Sequence, residues 1–156
     1  MMPVASPPIR IDREGNWYYR GQIMSRLDIV NHFSRHMVLD DNGNYCITLG
    51  NDRCPVEVED APFVIRSIMK ERGKGTRRDT LTAVMTDGTA ERIHPDTITV
   101  GPGNVPYCTV RNGTMTARFS RPGYYQLAAF IEYDNAKDAY YIPLNRERYY
   151  ISTEEQ

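Results

Sequence analysis

Three acidic residues, Glu57, Glu59 and Asp60, stand within four positions of one another and could do chemistry together. Two carboxylates can share general acid–base work when one of them is desolvated, because burial raises its pKa. On a β-strand, Glu57 and Glu59 would point to the same side, since alternate residues share a face. The alternative is a solvent-facing strand that ends in an Asp-Ala-Pro turn, and we favour it.

A second candidate lies on a predicted helix, where Asp28, His32 and His36 recur every four residues. Two histidines at this spacing can bind one metal ion, and the aspartate could complete a three-ligand set. Each step of four residues turns about 40° around the helix, so the three side chains diverge. No glutamate follows His32 as it does in the HExxH motif. We therefore favour a solvated helix face and predict neither a metal site nor a cofactor.

Five basic residues crowd one glycine-containing segment. They are Lys70, Arg72, Lys74, Arg77 and Arg78, with Gly73 and Gly75 among them. Such a loop can hold a phosphate group or a nucleic acid, but the spacing of the P-loop motif is missing. The segment fits the tip of a hairpin between strands at 63–69 and 80–85. Weak binding of an anionic polymer is a further alternative.

The composition is that of an ordinary soluble globular protein. The chain has 156 residues, a formal net charge of -1 and 40% apolar residues. This balance argues against a dedicated nucleic-acid binder, and no run approaches the roughly 20 apolar residues of a membrane-spanning helix. The three cysteines, Cys46, Cys54 and Cys108, form no CxxC pair, and the first residues do not have the pattern of a secretory signal. These features favour the cytoplasm.

The elements that would position these residues occur in the same order twice. A hairpin over 9–20 precedes a helix near 25–37 that Ser25 would cap, and Ser120 would cap a second helix after another hairpin. Shifting the chain by 95 positions gives six identities across the 29 positions from 25 to 53. The layout predicts an α+β fold of two repeated motifs, each a helix packed on a curved antiparallel, half-barrel-like sheet, sharing one core.

The repeat also predicts the domain organisation. Residues 1–8 would be a disordered arm, 9–104 the first repeat with a sheet extension, 105–151 the second repeat, and 152–156 a frayed tail. One helix on a short curved sheet cannot bury both of its apolar surfaces by itself. Each repeat would therefore complete its core against the other.

Several strings of the sequence are shared with a known family. They are IDREGNWYYRG at 11–21, VEVEDAPF at 56–63, and the pairs Pro106-Tyr107, Val110-Arg111 and Tyr124-Tyr125. In these strings, over roughly 9–131, the chain resembles the bacterial domain-of-unknown-function family number 1285. The resemblance implies two repeated motifs of a helix and a curved sheet, and a role in signal transduction or ligand sensing.

We therefore predict a non-catalytic module that binds a small ligand or a protein partner in a sensing role. The predicted site is a groove between the two halves, and its candidate ligand-binding residues are Trp17, Tyr19, Arg53, Glu59, Asp60 and Arg111. The alternative is an uncharacterised hydrolase-like enzyme that uses Glu59 or Asp60. The sequence identifies no catalytic residue beyond that pair and no particular ligand, partner or oligomeric state.

Overall fold

A computed structural model describes residues 7–153. The chain divides into two compact units, Met1–Pro62 (unit 1) and Phe63–Gln156 (unit 2). The division predicted after residue 104 falls inside unit 2. The predicted disordered arm and frayed tail lie outside the described residues except for 7–8 and 152–153. Within the described part of the chain, no helix is long and apolar enough to cross a membrane.

Unit 1 consists of one sheet and one helix. The strands are β1 (Ile9–Ile11), β2 (Trp17–Tyr19), β3 (Gln22–Ile23), β4 (Met37–Leu39), β5 (Tyr45–Leu49) and β6 (Asp52–Val58), and the helix is α1 (Leu27–Arg35). They form sheet 1 in the order β3-β2-β1-β6-β5-β4. β1 pairs with β6 in parallel, and the other pairs are antiparallel. The first strand of the unit is thus held between its second and its last.

Alternating side chains give sheet 1 a buried face and an exposed face. Ile9, Ile11 and Trp17 are buried, whereas Arg10 is exposed between them, as the period of two in a strand requires. α1 buries Val30 and Ser34. Leu27, the first residue of α1, is 51% exposed, so the buried stripe of α1 is narrow.

Unit 2 contains two sheets and a second helix. Sheet 2 comprises β7 (Phe63–Glu71), β8 (Thr80–Met85), β9 (Ala90–Ile93), β10 (Thr99–Gly101), β11 (Val105–Val110), β12 (Met115–Phe119) and β16 (Ser152–Thr153). Sheet 3 comprises β13 (Glu132–Asp134), β14 (Ala139–Leu144) and β15 (Glu147–Tyr150), and α2 spans Arg121–Ala128. Sheet 2 has the order β16-β10-β11-β12-β7-β8-β9, and sheet 3 the order β13-β14-β15.

Helix α2 covers part of one edge of β7. β12 pairs with β7 only as far as Ile65, and the register of β7 against β8 shifts between Ile65 and Ser67. Beyond that point α2 supplies the partners. The Ser120 amide donates to the carbonyl of Ile65 at 2.9 Å, and the amide of Ile68 donates to Oε1 of Gln126 at 2.9 Å. Ser120 and α2 thereby satisfy backbone groups of β7 at and beyond the end of its pairing with β12, as buried backbone requires.

The predicted architecture of two repeated helix-on-sheet motifs is wrong. Among the described residues, 48% lie in strands and 16% in helices, and two α-helices accompany three sheets. In unit 1, β4 to β6 join a six-stranded sheet through β1, whereas in unit 2 β13 to β15 form a separate three-stranded sheet. The sequence similarity at an offset of 95 residues reflects the order in which helix, turn and strands follow each other along the chain. It does not determine which strands pair, because strand pairing depends on contacts distant in sequence.

The two serines predicted to cap helices behave differently, and this difference is testable. Ser120 is the N-cap of α2, and its hydroxyl accepts a hydrogen bond from the amide of Gly123 at 3.2 Å. Arg26 is the N-cap of α1, with no side-chain cap hydrogen bond. We expect Ser120→Ala to lower the free energy of unfolding by about 1 kcal/mol. Ser25→Ala should have almost no effect. Urea denaturation of both variants tests this, and equal losses would contradict it.

Candidate functional site

A tight turn after β1 is organised by the carboxylate of Asp12. Its Oδ1 accepts hydrogen bonds from the amides of Glu14 and Asn16 at 3.0 and 2.9 Å, and its Oδ2 accepts from the hydroxyl of Tyr18 at 3.0 Å. Gly15 takes φ 86°, which the turn requires and which glycine adopts without strain. Partial burial alone would raise the pKa of Asp12, but hydrogen bonds from Asn16 and Tyr18 hold it below its usual value. This carboxylate is a structural acceptor.

Glu59 closes the same turn from the other side. Its Oε2 accepts from the amide of Arg13 at 2.8 Å, and its Oε1 accepts from Nε of Arg13 at 3.0 Å. Arg10 lies 3.5 Å from the same carboxylate and 3.8 Å from that of Glu57. The Arg13 amide and guanidinium lower the pKa of Glu59. A general acid at neutral pH needs a raised pKa, so this environment argues against that role for Glu59.

Trp17 and Tyr19 lie on one strand but in different surroundings. Trp17 is 3% exposed and pairs with Ile11. Tyr19 is 48% exposed, and Nε of Arg20 donates to its hydroxyl at 3.3 Å. Trp17 and Glu59 both contact Ile11. Trp17 is paired with Ile11 across the sheet, and the amide of Glu59 donates a hydrogen bond to the carbonyl of Ile11 at 2.9 Å. Trp17 nevertheless faces the core, whereas the Glu59 carboxylate contacts exposed arginines.

The other three residues predicted for the ligand site are dispersed. Arg53 is exposed on β6 opposite Thr48, six positions or about 20 Å along the chain from Glu59. Asp60 is exposed, two residues after the end of β6. Arg111 belongs to unit 2, where its amide donates to Oε2 of Glu91 at 3.0 Å and its guanidinium lies 4.7 Å from the ring centre of Phe63. A ligand groove between the two halves stays a prediction.

The helix face with metal-ligand spacing is already partly occupied by an ion pair. The Asp28 carboxylate contacts Nη2 of Arg26 at 2.8 Å, and this guanidinium lowers its pKa. The rings of His32 and His36 lie edge to face with centroids 5.0 Å apart. Within residues 7–153, no group of three or more histidine, cysteine or acidic side chains is placed to hold a metal ion.

Unit 2 contains a mainly apolar cavity of about 620 Å³. Its walls are the β16–β10 side of sheet 2, one side of α2 and the start of β14. The apolar lining includes Ile98, Val100, Tyr124, Leu127, Ile131 and Ile151. The polar lining consists of Asn104, Asp138 and Thr153, and the hydroxyl of Tyr133 donates to Asp138. The volume lies within the range of small-molecule sites.

A second cavity of unit 2, about 660 Å³, lies at the end of the β7–β8 hairpin. The predicted hairpin at this position is confirmed, and the basic segment forms its tip. Arg92 also lines the cavity, because it stands on β9 opposite Thr82 of β8. No local pattern could have identified Arg92, since it reaches the loop only through strand pairing.

Cys108 is buried and should be chemically inert in the folded protein. Its side chain is 2% exposed, and burial together with the nearby Glu91 carboxylate raises its pKa to about 12. Because the thiolate is the reactive form, we expect iodoacetamide at mildly alkaline pH to modify the half-buried Cys54 well before Cys108. Both should react once guanidinium chloride unfolds the chain. Peptide mass spectrometry measures this, and modification of Cys108 as fast as Cys54 in the folded state would contradict it.

Residues 4–61 match the family model of the DUF1285 N-terminal domain, a domain of unknown function. This segment is similar to the DUF1285 N-terminal domain. The resemblance predicted from the sequence strings is thereby confirmed for this part of the chain. No curated protein matches the chain.

Two solved structures share the fold at low sequence identity. A DUF1285 family protein from Shewanella baltica OS155 is 20% identical, with a TM-score of 0.65, over 79% of this chain and 91% of that one. A DUF1285 family protein from Silicibacter pomeroyi DSS-3 is 22% identical, with a TM-score of 0.73, over 94% of this chain and 79% of that one. At sequence identities of 20% and 22%, these structures show a similar fold and nothing more.

The geometry explains several residues that carry the DUF1285 resemblance. The string at 11–21 contains Asp12 and Arg13, and the string at 56–63 contains Glu59. Parallel pairing of β1 with β6 brings the two strings side by side, so that Glu59 can hold the turn that Asp12 organises. In this segment, the acidic residues Asp12 and Glu59 thus have contacts that stabilise the fold.

Proposed function

We propose that the protein is a non-catalytic binding module whose unit 2 takes up a small, largely apolar ligand in the 620 Å³ cavity. The observation that carries the proposal is the lining, in which aliphatic and aromatic side chains predominate and polar groups are few. A pocket of this kind gains affinity by removing apolar ligand surface from water. Asp12 and the candidate acid Glu59 are both engaged in structural hydrogen bonds, which favours binding over catalysis.

The origin of the cavity walls supports the regulatory part of this proposal. Leu127 comes from α2, Val100 from sheet 2, and Tyr140 from sheet 3. A ligand that touches all three elements binds the folded unit and not the unfolded chain, so it raises the stability of the unit by mass action. Ligand binding in the cavity would therefore make α2 and sheet 3 more rigidly ordered. This is the physical basis of the sensing role that we propose.

The proposal is tested with 1-anilinonaphthalene-8-sulfonate as a fluorescent probe and decanol as a neutral competitor. We expect saturable probe fluorescence on the folded protein, reduced by decanol. Ala128 lines the cavity, so Ala128→Trp should fill part of it and remove most of the probe signal. Ala129 is the next residue, is also exposed, and does not line the cavity. Ala129→Trp should bind the probe like the natural sequence.

Two outcomes would overturn the proposal. One is probe fluorescence that does not saturate or does not respond to decanol. The other is an equal loss of signal in Ala128→Trp and Ala129→Trp. Cooperative thermal unfolding of each variant shows that any probe bound is bound to folded protein, because partly unfolded chains also bind this dye.

A further inference from the structure

The second cavity of unit 2 collects an excess of positive charge. Its cationic lining consists of Arg72, Lys74, Arg77, Arg78 and Arg92, and Glu71 is the acidic residue among the lining side chains. Glu71 pairs with Thr80, and Arg92 pairs with Thr82, two positions further along β8. Since alternate residues of a strand share a face, Arg92 and Glu71 lie on the same side of sheet 2. The cavity thus joins the hairpin tip to that face.

Most of these cations are not neutralised by the protein. Arg78 contacts the Glu147 carboxylate at 3.2 Å. By contrast, Arg72, Lys74, Arg77 and Arg92 form no ion pair with any residue in 7–153. Like charges gathered around one concavity repel each other and raise the local positive potential. An anion bound among them would relieve that repulsion.

The loop that carries the cations is held in place by hydrogen bonds to Asp79, whose carboxylate also lies 3.9 Å from the Lys70 ammonium. The Gly73 amide donates to Oδ1 of Asp79 at 2.9 Å. The side chain of Asn145, in the β14–β15 turn, bonds both the amide and the carbonyl of Asp79, each at 2.8 Å. A Cβ at Gly73 would lie 2.0 Å from the carbonyl oxygen of Arg77, so the two sides of the loop approach more closely than any other residue permits. A loop fixed in this way loses little entropy when it binds.

From this arrangement we infer that the cavity binds a small polyanion with two or more linked phosphate groups. Guanidinium groups donate paired hydrogen bonds to phosphate oxygens, and several converging cations match several adjacent anionic groups better than one. The volume of about 660 Å³ is within the range of small-molecule sites. A small molecule is favoured over a nucleic acid because the cations surround a concavity on a chain of net charge -1. The site shares no lining residue with the apolar cavity.

The inference is tested by calorimetry at low ionic strength, where exposed charges are least screened. Inorganic tripolyphosphate and orthophosphate are titrated into the full chain. We expect tripolyphosphate to bind at least about tenfold more tightly, and the double variant Arg72→Gln, Arg77→Gln to weaken its binding at least about tenfold. Arg92→Gln should also weaken it and leaves the loop sequence intact. Arg121→Gln, an exposed arginine on α2 with the same change of charge, should stay within about twofold.

Several results would overturn the inference. Absence of saturable tripolyphosphate binding to the natural sequence is one, and undiminished binding in both the double variant and Arg92→Gln is another. An equal loss in Arg121→Gln would show a response to net charge alone. Tighter binding of a mixed-sequence single-stranded oligonucleotide, also lost in the double variant, would make the loop a polymer-binding surface instead. Decanol, which is neutral, competes for the apolar cavity, whereas tripolyphosphate competes for the cationic one, and the two cavities share no lining residue. The two proposals therefore fail separately.

Discussion

Trp17→Ala is expected to lower the free energy of unfolding of unit 1 by about 3–5 kcal/mol, the range for removing a buried aromatic side chain. Trp17 is 3% exposed and shares the buried face of sheet 1 with Ile9 and Ile11. Truncation removes its transfer free energy and leaves a cavity that the flanking strands β1 and β3 can fill only by moving. Such a loss is a large share of the typical stability of a small domain, about 5–15 kcal/mol. Urea denaturation followed by circular dichroism measures it.

Tyr19→Ala is the matched control, because Tyr19 lies two residues along the same strand and is 48% exposed. Its removal should cost at most about 1 kcal/mol, as expected for partly exposed side chains. The chain has a single tryptophan, so Trp17 fluorescence in the Tyr19→Ala variant reports the unfolding of unit 1 directly. Comparable losses in the two variants would show that the burial of Trp17 does not determine stability.

Gly123→Ala is expected to destabilise unit 2 by about 2 kcal/mol, although alanine is the better helix former. A Cβ at this position would lie 2.5 Å from the carbonyl oxygen of Ile65 and 3.3 Å from Oγ of Ser120. Overpacking typically costs about 1–3 kcal/mol, and here the obstacle is backbone that also accepts the Ser120 amide. The gain of about 1 kcal/mol in helix propensity does not offset a displacement of α2 from β7.

Tyr125→Ala provides the comparison within the same helix. Tyr125 is 67% exposed, so its truncation leaves the approach of α2 to β7 unchanged. The thermal unfolding midpoint should fall markedly for Gly123→Ala and by little for Tyr125→Ala. A Gly123→Ala variant as stable as the natural sequence would mean that α2 is free to move away from β7. The Gln126 bond to Ile68 would then contribute little.

The sequence predicted local elements well where the signals were chemical. The hairpin between β7 and β8 and the cap at Ser120 were both expected, and both are present. Each depends on a few adjacent residues whose side chains or φ angles determine the local backbone. The same rule predicted a cap at Ser25, but this prediction is wrong. Helix α1 begins one residue later than predicted, so that Arg26 is its N-cap.

Strand partners could not be predicted in the same way. The pairing of β1 with β6 and of β7 with β12 joins segments far apart in the chain, and neither leaves a local pattern. The expectation of two repeated motifs came from residues that are identical at an offset of 95, such as Tyr45 and Tyr140. Such identities are also expected when two unrelated segments both form strands, because tyrosine favours β-strands. The basic loop was visible in sequence, but Arg92 and the apolar cavity were not, because each is assembled from elements that meet only in three dimensions.

The parallel pair β1–β6 has a consequence for the nascent polypeptide. During synthesis the ribosome delivers β1 and β2 early, but the neighbour that completes β1, at Val56–Val58, emerges only near the end of unit 1. Until then one side of β1 offers unpaired amides and carbonyls to other chains. The same delay recurs in unit 2, where β7 waits for Ala117–Phe119. Co-translational aggregation should therefore be most severe for chains arrested shortly before either of these late strands has emerged.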